Sequence, residues 1–449
     1  MIELIILLVI SLLLVLTFLI DRTAIILLLL FIVWYIPRQT APGAYLENYT
    51  LLRWIMLLLL PLLIFLFLLV ISFKKFKIDF CKIEVWLLLF VCYSMVSGLL
   101  NEVKLVDWFG YLGLYITYPI LFIILANLNI KEKKLKIFLS AFITLLLLQI
   151  PECFYRYFVL GVTGDHLSWT LGPWGTTDLG VYMIYALFIL ISFWITGVMK
   201  KLWQKLLVIL LILIFFILSV LGEMKAFLIS SLLISLIIFS KAKKFSLLAF
   251  IIITFILMSY TIWASIYSPE QNYLYLFILN LTNLLKMGDL EFLLYSSGTA
   301  RISAGLIVLN NIYQEPLHFW FGYGPGSSFA GSFTGEEGLL LKLGWFLKQY
   351  TNQFSAMLVD VGIIGLILYF ILLINLFKLI KIAIISARGK FIRAIGYASF
   401  GMWFFYSVLS PWYILSWRLD SASFIFYVFL SFLYSNTKGR SNEINSGKL

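Results

Sequence analysis

The chain has 449 residues, of which 63% are hydrophobic and only 12% are charged. An ordinary soluble domain is about half apolar and a quarter charged, so this composition excludes a soluble protein, a disordered chain, a coiled coil and a disulfide scaffold. Apolar runs recur along the whole sequence, and a membrane-spanning helix needs about 20 such residues. The sequence therefore predicts an all-α integral membrane protein.

The apolar runs predict the membrane crossings in chain order. Aromatic residues such as Trp108 and Trp417 lie near several run ends, as the aromatic belts of membrane proteins require. The second run, 23–36, is short, so the number of crossings is least defined in the N-terminal region. We expect about 12–13 transmembrane helices in all. The predicted spans are 2–20, 23–36, 51–72, 83–100, 108–127, 137–158, 179–198, 206–221, 226–240, 245–267, 353–377, 394–410 and 419–435.

The basic residues predict the topology. The chain carries 33 Lys and Arg against 21 Asp and Glu, a net charge of +12. The basic residues cluster between apolar runs, at 74–82, 131–136, 200–205, 241–244 and 378–393. Lys and Arg accumulate in short cytoplasmic loops, and each intervening stretch is long enough to cross out and back. The positive charge therefore indicates a cytoplasmic face and not a nucleic-acid partner.

The stretch 206–240 predicts a helical hairpin. As one helix it would be about 52 Å long, whereas the hydrocarbon core is about 30 Å thick. The break falls at Gly222, followed by Glu223 and Lys225. Ionisable groups next to hydrocarbon suggest function, and the alternative is a mutual ion pair whose side chains reach water at the outer surface.

Two longer outer segments, 159–178 and 269–352, interrupt the short loops. The longer segment retains apolar helical stretches and predicts a large, partly helical external (periplasmic) cap. The predicted organisation has four parts: transmembrane helices 1–10 over 1–268, the external subdomain over 269–352, the C-terminal transmembrane helices over 353–435, and a cytoplasmic tail over 436–449.

The shorter outer segment holds candidate substrate-binding residues, Arg156, His166 and Asp178, among several glycines. The only other histidine is His318. Either histidine suits a general base, because its unperturbed pKa is near 6.5, although a lone loop histidine is more often inert. A metal site needs three or four ligands at workable spacing, and no such spacing occurs, so we expect neither a metal nor another cofactor.

In the longer segment, Arg301 follows the helix-capping residues 296–299 and precedes an apolar run. This pattern predicts an arginine in the first turn of a helix. Free backbone N–H groups and a guanidinium at that position can together bind a phosphate. The alternative is a surface arginine paired with Glu291 or Asp289.

The glycines Gly322, Gly324 and Gly326 predict a tight turn. Neither the preceding strand nor the following helix with Lys and Ser or Thr that a P-loop requires is present. Glycine permits positive φ and a close approach of the backbone to a neighbour. We expect Pro316 to close the helix that Arg301 begins, because proline interrupts helical hydrogen bonding.

Taken in order, these features resemble the O-antigen polymerase and O-antigen ligase family of bacterial membrane glycosyltransferases. The family has many spans, a large outer loop near the C-terminus with an arginine opening a helix, then a proline and a Gly-x-Gly-x-Gly turn. The chain matches this pattern at 297–301, Pro316 and 322–326. The return to the membrane is matched by Asn352, Leu358, Asp360, Gly362 and Gly365. Two positions depart from the family: Thr351 stands where the family has histidine, and Lys225 stands where it has arginine.

The resemblance implies a GT-C-like fold in the cytoplasmic (inner) membrane and a metal-independent polysaccharide polymerase, for an O-antigen, a capsule or an exopolysaccharide. Such an enzyme transfers lipid-linked oligosaccharide repeat units from undecaprenyl pyrophosphate to an acceptor glycan on the outer face of the membrane. Membrane lipids and a chain-length regulator protein are the further partners that it implies.

The same resemblance suggests roles for individual residues. Arg301 and Lys225 would hold the pyrophosphate with help from Arg156, and the proton acceptor would be Glu223, His318 or Asp360. The remaining substrate-binding candidates are His166, Asp178, Gly322, Gly324, Gly326 and Asn352.

Two alternatives remain open. One is a ligase-type transfer of a finished glycan to a lipid or protein acceptor. The other, from a different class, is a transporter or flippase of lipid-linked sugars, which tends to carry inverted repeats and discontinuous helices near the membrane midplane. The sequence shows no internal repeat.

Overall fold

A computed structural model describes residues 26–30, 34, 82–128, 130–162, 166–168, 171, 175–222, 224, 227, 308–309, 311–328, 353–409, 411 and 420–437. Within these ranges the regular structure is helical and contains no strand. The predicted spans 2–20, 51–72 and 245–267 lie outside the described residues, as do 226–240 except for Phe227, most of 23–36 and most of the predicted outer segment 269–352.

Helices occupy the predicted spans that fall within the described ranges. In chain order they are α1 (Lys82–Leu100), α2 (Leu105–Leu128), α3 (Glu132–Phe158), α4 (Gly175–Ile195), α5 (Leu202–Leu221), α6 (Pro316–Phe321), α7 (Gln353–Ser386), α8 (Lys390–Phe404) and α9 (Asp420–Thr437). A short π-helix, Phe405–Leu409, continues α8. The helix predicted over 394–410 therefore begins earlier than expected and changes its hydrogen-bonding pattern before it ends.

Four of these helices are long and apolar enough to cross a membrane: Glu132–Phe158, Asp178–Ile195, Leu202–Ser219 and Gln353–Ser386. Three shorter apolar helices accompany them, at Val85–Leu100, Tyr115–Leu128 and Ser423–Thr437. The described part of the chain thus has the helical, apolar architecture of an all-α membrane protein.

The helices pack around a core rich in aromatic side chains. Helix α9 packs against α2, α8 against α4, and α7 against α1 and α8. The N-terminal segment joins this core, because the Trp34 ring stacks on the Tyr182 ring at 3.9 Å between centroids. Large apolar side chains such as Leu88 and Leu148 point outward and are 64% exposed. An apolar exterior of this kind suits a lipid environment and not water.

Helix α7 is broken at Gly362, where φ is 62° and ψ is −168°. An unbroken helix of its 34 residues would be about 51 Å long. The part that follows Gly362 is about 36 Å long and fits a bilayer with some tilt. The short first part, 353–361, lies beyond that end, away from the basic cluster 378–393.

Helix α1 runs antiparallel to α7. The Phe90 ring contacts the Tyr369 ring, whereas Tyr93, one turn later, reaches Val361 on the other side of the break. The C-terminal end of α1 therefore lies beside the break in α7. By the distribution of basic residues, this is the predicted outer end of both helices.

The hairpin predicted over 206–240 begins as expected. Helix α5 ends at Leu221, and the amide of Met224 donates to the carbonyl of Ser219 at 2.8 Å. The Phe227 ring packs against Phe216 at 5.4 Å between centroids, so the chain turns back on α5. The second arm, 226–240, lies outside the described residues except for Phe227.

Candidate functional site

The site is built where α6 meets the break in α7, through two glycines that we call the glycine junction, Gly322 and Gly362. A Cβ on Gly322 would lie 2.7 Å from backbone atoms of 359–362, and one on Gly362 would lie 2.5 Å from the carbonyl oxygen of Trp320. Both glycines have positive φ, 73° and 62°, which L side chains rarely adopt. The amide of Tyr323 donates to the carbonyl of Val359 at 2.7 Å. The two backbones can approach this closely only because neither residue has a side chain.

Polar side chains on one face of α1 bind the carbonyl groups of the junction. Tyr93, Ser97 and Asn101 are four residues apart and therefore share a helix face. Carbonyls at the end of a helix lack intrahelical partners, and α6 ends at Phe321. The Tyr93 hydroxyl donates to the carbonyl oxygen of Trp320 at 2.7 Å and to that of Val361 at 3.0 Å. Ser97 Oγ donates to the carbonyl oxygen of Phe321 at 2.6 Å. Asn101 Nδ2 donates to the carbonyl oxygen of Gly322 at 3.2 Å.

The glycine-rich turn that follows is fixed by Asp360. Gly324 and Gly326 have φ of 100° and 92°, which confirms the predicted turn conformation. The Asp360 carboxylate is fully buried and accepts the backbone N–H of Ser328 at 2.7 Å and the Ser328 hydroxyl at 2.8 Å. This position suits an anchor for the turn and not a base that must meet a solvent-accessible hydroxyl.

Pro316 does not close a helix, contrary to the expectation from sequence. The helical residues 311–312 end before it, with the amide of Glu315 donating to the carbonyl of Ile312 at 2.9 Å. Pro316 is instead the first residue of α6. A proline is tolerated there because the first N–H groups of a helix have no intrahelical acceptor.

Helix α6 carries a carboxylate–imidazole pair at its start. His318 Nδ1 lies 2.6 Å from Glu315 Oε2, and the Tyr323 hydroxyl donates to the same oxygen at 2.7 Å. The imidazole ring stacks on the Tyr323 ring at 4.0 Å and 14°. We call these three residues the Glu315–His318–Tyr323 cluster.

The cluster keeps Glu315 ionised. The hydrogen bond from the Tyr323 hydroxyl is the largest cause that lowers the pKa of Glu315, and the contact with His318 lowers it further. Burial and the neighbouring carboxylate raise the pKa of Tyr323, so its hydroxyl stays protonated and continues to donate. The side chains of His318 and Glu315 are 29% and 47% exposed, so a substrate can reach them.

This arrangement suits proton transfer. With Nδ1 directed at an ionised carboxylate, the neutral imidazole carries its proton on Nδ1 and presents the Nε2 lone pair outward. A carboxylate in that position orients the ring and stabilises the imidazolium that forms when Nε2 accepts a proton. Among the described residues none bonds Nε2, the nitrogen that would accept the proton of a hydroxyl group.

His166 and Asp178 lie in a second region, together with Arg156 in the last turn of α3. Arg156 Nε donates to the carbonyl of His166 at 3.1 Å, and the amide of Ser168 donates to the hydroxyl of Thr176 at 3.2 Å. Asp178 is buried in the first turn of α4. This segment contacts the end of α5, because a Cβ on Gly222 would lie 2.9 Å from Thr176 Cγ2 and 3.2 Å from Leu167 Cδ2.

The structure thus brings together His318, Gly322, Gly324, Gly326 and Asp360, and it places Arg156, His166 and Asp178 beside the hairpin turn at Gly222. Arg301, Glu223, Lys225 and Asn352 lie outside the described residues. In the part of the chain that the structure describes, no group of three or more His, Cys, Asp and Glu side chains is arranged to hold a metal ion.

Glu315, Tyr323 and the polar face of α1 were not among the predicted site residues. The signal for Glu315 was its three-residue spacing from His318, with a proline between them, which places both side chains on one side of a helix start. The signal for the polar face was the four-residue spacing of Tyr93 and Ser97 in the largely apolar α1, with Asn101 at the same spacing just past its end.

No protein-family model matches the chain, and no curated protein sequence matches it either. The fold defines the class, an all-α membrane protein.

Proposed function

We propose that the chain is a polysaccharide polymerase with a GT-C-like fold, which transfers lipid-linked oligosaccharide repeat units from undecaprenyl pyrophosphate to an acceptor glycan at the outer face of the cytoplasmic membrane. The observation that carries the proposal is the Glu315–His318–Tyr323 cluster, an oriented imidazole next to a rigid glycine turn, at the predicted outer end of membrane-length helices. A base at that level suits a substrate that is itself anchored in the membrane.

The chemistry requires one proton acceptor and a stabilised leaving group. The acceptor hydroxyl gives its proton to His318 Nε2 while its oxygen forms the bond to the anomeric carbon of the donor sugar. The bond from that carbon to the pyrophosphate oxygen breaks, and its electron pair leaves with undecaprenyl pyrophosphate. Preorganised positive groups lower the free energy of the developing charge, a role that we assign to Arg301, Lys225 and Arg156.

The other parts of the site hold this geometry. Asp360 fixes the glycine turn through Ser328, and α1 fixes the junction through Tyr93. A shift of about 1 Å from positioning elements of this kind can lower a rate by about 10²-fold. Asp360 is therefore a positioning residue in this proposal, and His318 is the catalytic base.

The break in α7 favours a second candidate, a transporter of lipid-linked sugars, because discontinuous helices form the substrate sites of many transporters. Those sites lie near the midplane. The break at Gly362 instead leaves a continuous segment of about 36 Å on one side, which places it near a membrane surface. We therefore favour the enzyme.

The test is to incubate the purified protein with its native undecaprenyl pyrophosphate-linked repeat in the presence of EDTA. The proposal predicts longer lipid-linked chains, and it predicts that His318→Gln prevents their growth while the variant remains folded. If an authentic donor gives no growth, addition of lipid and protein acceptors tests the ligase, and movement of the donor across a sealed bilayer tests the transporter.

A further inference from the structure

An exposed apolar surface surrounds the start of α6. Leu309, Tyr313, Leu317 and Trp320 are 37%, 72%, 54% and 49% exposed, whereas Ile312 is almost fully buried. We call these four side chains the 309–320 apolar face. An apolar surface of this kind is unusual in water unless something covers it.

Aromatic contacts join this face into one surface. The Tyr313 ring makes an edge contact with the Phe319 ring at 5.9 Å, and Phe319 makes one with Trp320 at 5.2 Å. The two exposed aromatic rings are therefore linked through a partly buried one. The surface is held in place because the carbonyl of Trp320 accepts the Tyr93 hydroxyl at 2.7 Å.

The position of this face relative to the ends of the spanning helices indicates what covers it. Trp320 contacts the glycine junction, where the membrane-length part of α7 begins. Exposed apolar side chains of the neighbouring helices reach the same level: Leu99 at the end of α1 is 77% exposed, and Ile367 in the second turn after the break is 49% exposed. The 309–320 apolar face thus continues the apolar exterior of the spanning helices at one of its ends.

We propose that the 309–320 apolar face is seated in the membrane, at the boundary between phospholipid headgroups and acyl chains. Trp and Tyr favour this boundary because their rings are apolar and their N–H or O–H groups are polar, and short amphipathic segments bury their apolar face there to a depth of about 5–10 Å. The inference does not depend on glycosyl transfer. It places His318, on the same short helix, at the depth of the lipid phosphates.

Spin-label accessibility tests the proposal. A nitroxide is attached at position 317 in a chain whose three cysteines are replaced by alanine, and the protein is reconstituted in phosphatidylcholine and phosphatidylglycerol vesicles. Matched labels at Gln314, which is exposed in the same segment, and at Ile374, which is exposed on the spanning part of α7, provide the aqueous and deep references.

We measure the ratio of oxygen accessibility to nickel-chelate accessibility for each label. The ratio at position 317 should be several-fold higher than the ratio at Gln314 and lower than the ratio at Ile374. A ratio equal to that at Gln314 would show that the face lies in water. Low accessibility to both reagents would show that another part of a protein covers it. Either result overturns the proposal.

A measurement on the unmodified chain avoids the cysteine replacements. Vesicles containing a phospholipid with a photoreactive diazirine in the upper acyl chain are irradiated, and modified residues are located by mass spectrometry. We expect adducts within 309–320, reduced several-fold by the double substitution Leu317→Ser and Trp320→Ser. Adducts at Leu99 without any in 309–320 would overturn the proposal.

Discussion

Replacement of Glu315 by glutamine tests the carboxylate–imidazole pair. The substitution keeps the size of the side chain and an oxygen for the Tyr323 hydroxyl, but it removes the charge beside His318 Nδ1. A hydrogen bond to a charged group contributes about 1.5–3 kcal/mol. Because the Glu315 side chain is 47% exposed, solvent screens that charge, and we discount the effect to about 1–1.5 kcal/mol.

This free energy corresponds to a loss in kcat/KM of about 5- to 10-fold, measured as chain growth from the lipid-linked donor. Removal of the base itself, in His318→Ala, should lower the rate by about 10²- to 10⁴-fold. An unchanged kcat/KM in Glu315→Gln would show that the carboxylate does not assist the imidazole.

The pH dependence provides an independent check of the same pair. The pKa of Glu315 is lowered, so the carboxylate is ionised above that value, and its charge beside His318 Nδ1 is lost as the pH falls through it. The ratio of wild-type to Glu315→Gln activity should therefore be constant at neutral and alkaline pH and approach one in acid. In Tyr323→Phe the loss should begin at a higher pH, because the main cause of the lowered pKa is gone.

Three further predictions concern the stability of the junction, measured as thermal unfolding in detergent. Gly362→Ala should be strongly destabilised, because its φ is positive and a backbone atom lies 2.5 Å from the new Cβ. The control Gly161→Ala also has positive φ, but its Cβ would meet no atom within 4 Å. It should lose only about 1–2 kcal/mol of unfolding free energy. Tyr93→Phe leaves backbone carbonyls without their donor and should lose about 1–3 kcal/mol. Asp360→Asn weakens the charge-assisted bonds to Ser328 and should lose about 1–3 kcal/mol.

Each of these predictions has a result that contradicts it. Equal unfolding midpoints for the two glycine variants would mean that the junction tolerates a side chain. A neutral Tyr93→Phe, compared with the exposed control Tyr155→Phe, would show that the Tyr93 hydroxyl does not stabilise the junction. A stable Asp360→Asn with full activity would exclude a positioning role for Asp360.

The helices were predictable because their cause is local. Runs of apolar residues of membrane length fix α3, α5 and α7, and Gly222 at the end of α5 marks the turn that the length argument demands. The turn at Gly322 was also predictable, because glycines at alternate positions tolerate positive φ wherever they occur.

The break in α7 was not predictable from hydropathy. Apart from Asp360, the residues around Gly362 are apolar on both sides. The non-helical conformation is stabilised by a partner distant in sequence, the backbone of 320–322. Tyr93 was missed for the same reason, since its hydrogen-bond acceptors are the carbonyls of Trp320 and Val361. Pro316 was assigned to the wrong helix terminus because proline suits either the first turn of a helix or the residues after its end.

Glycosyl transfer by this chain is tested by counting released undecaprenyl pyrophosphate against new glycosidic bonds in one reaction with the authentic donor. We expect one released undecaprenyl pyrophosphate for each bond formed in the presence of EDTA, and both quantities should be lost together in His318→Ala. Donor that crosses a sealed bilayer unchanged, with neither released carrier nor longer chains, would contradict glycosyl transfer and favour the transporter.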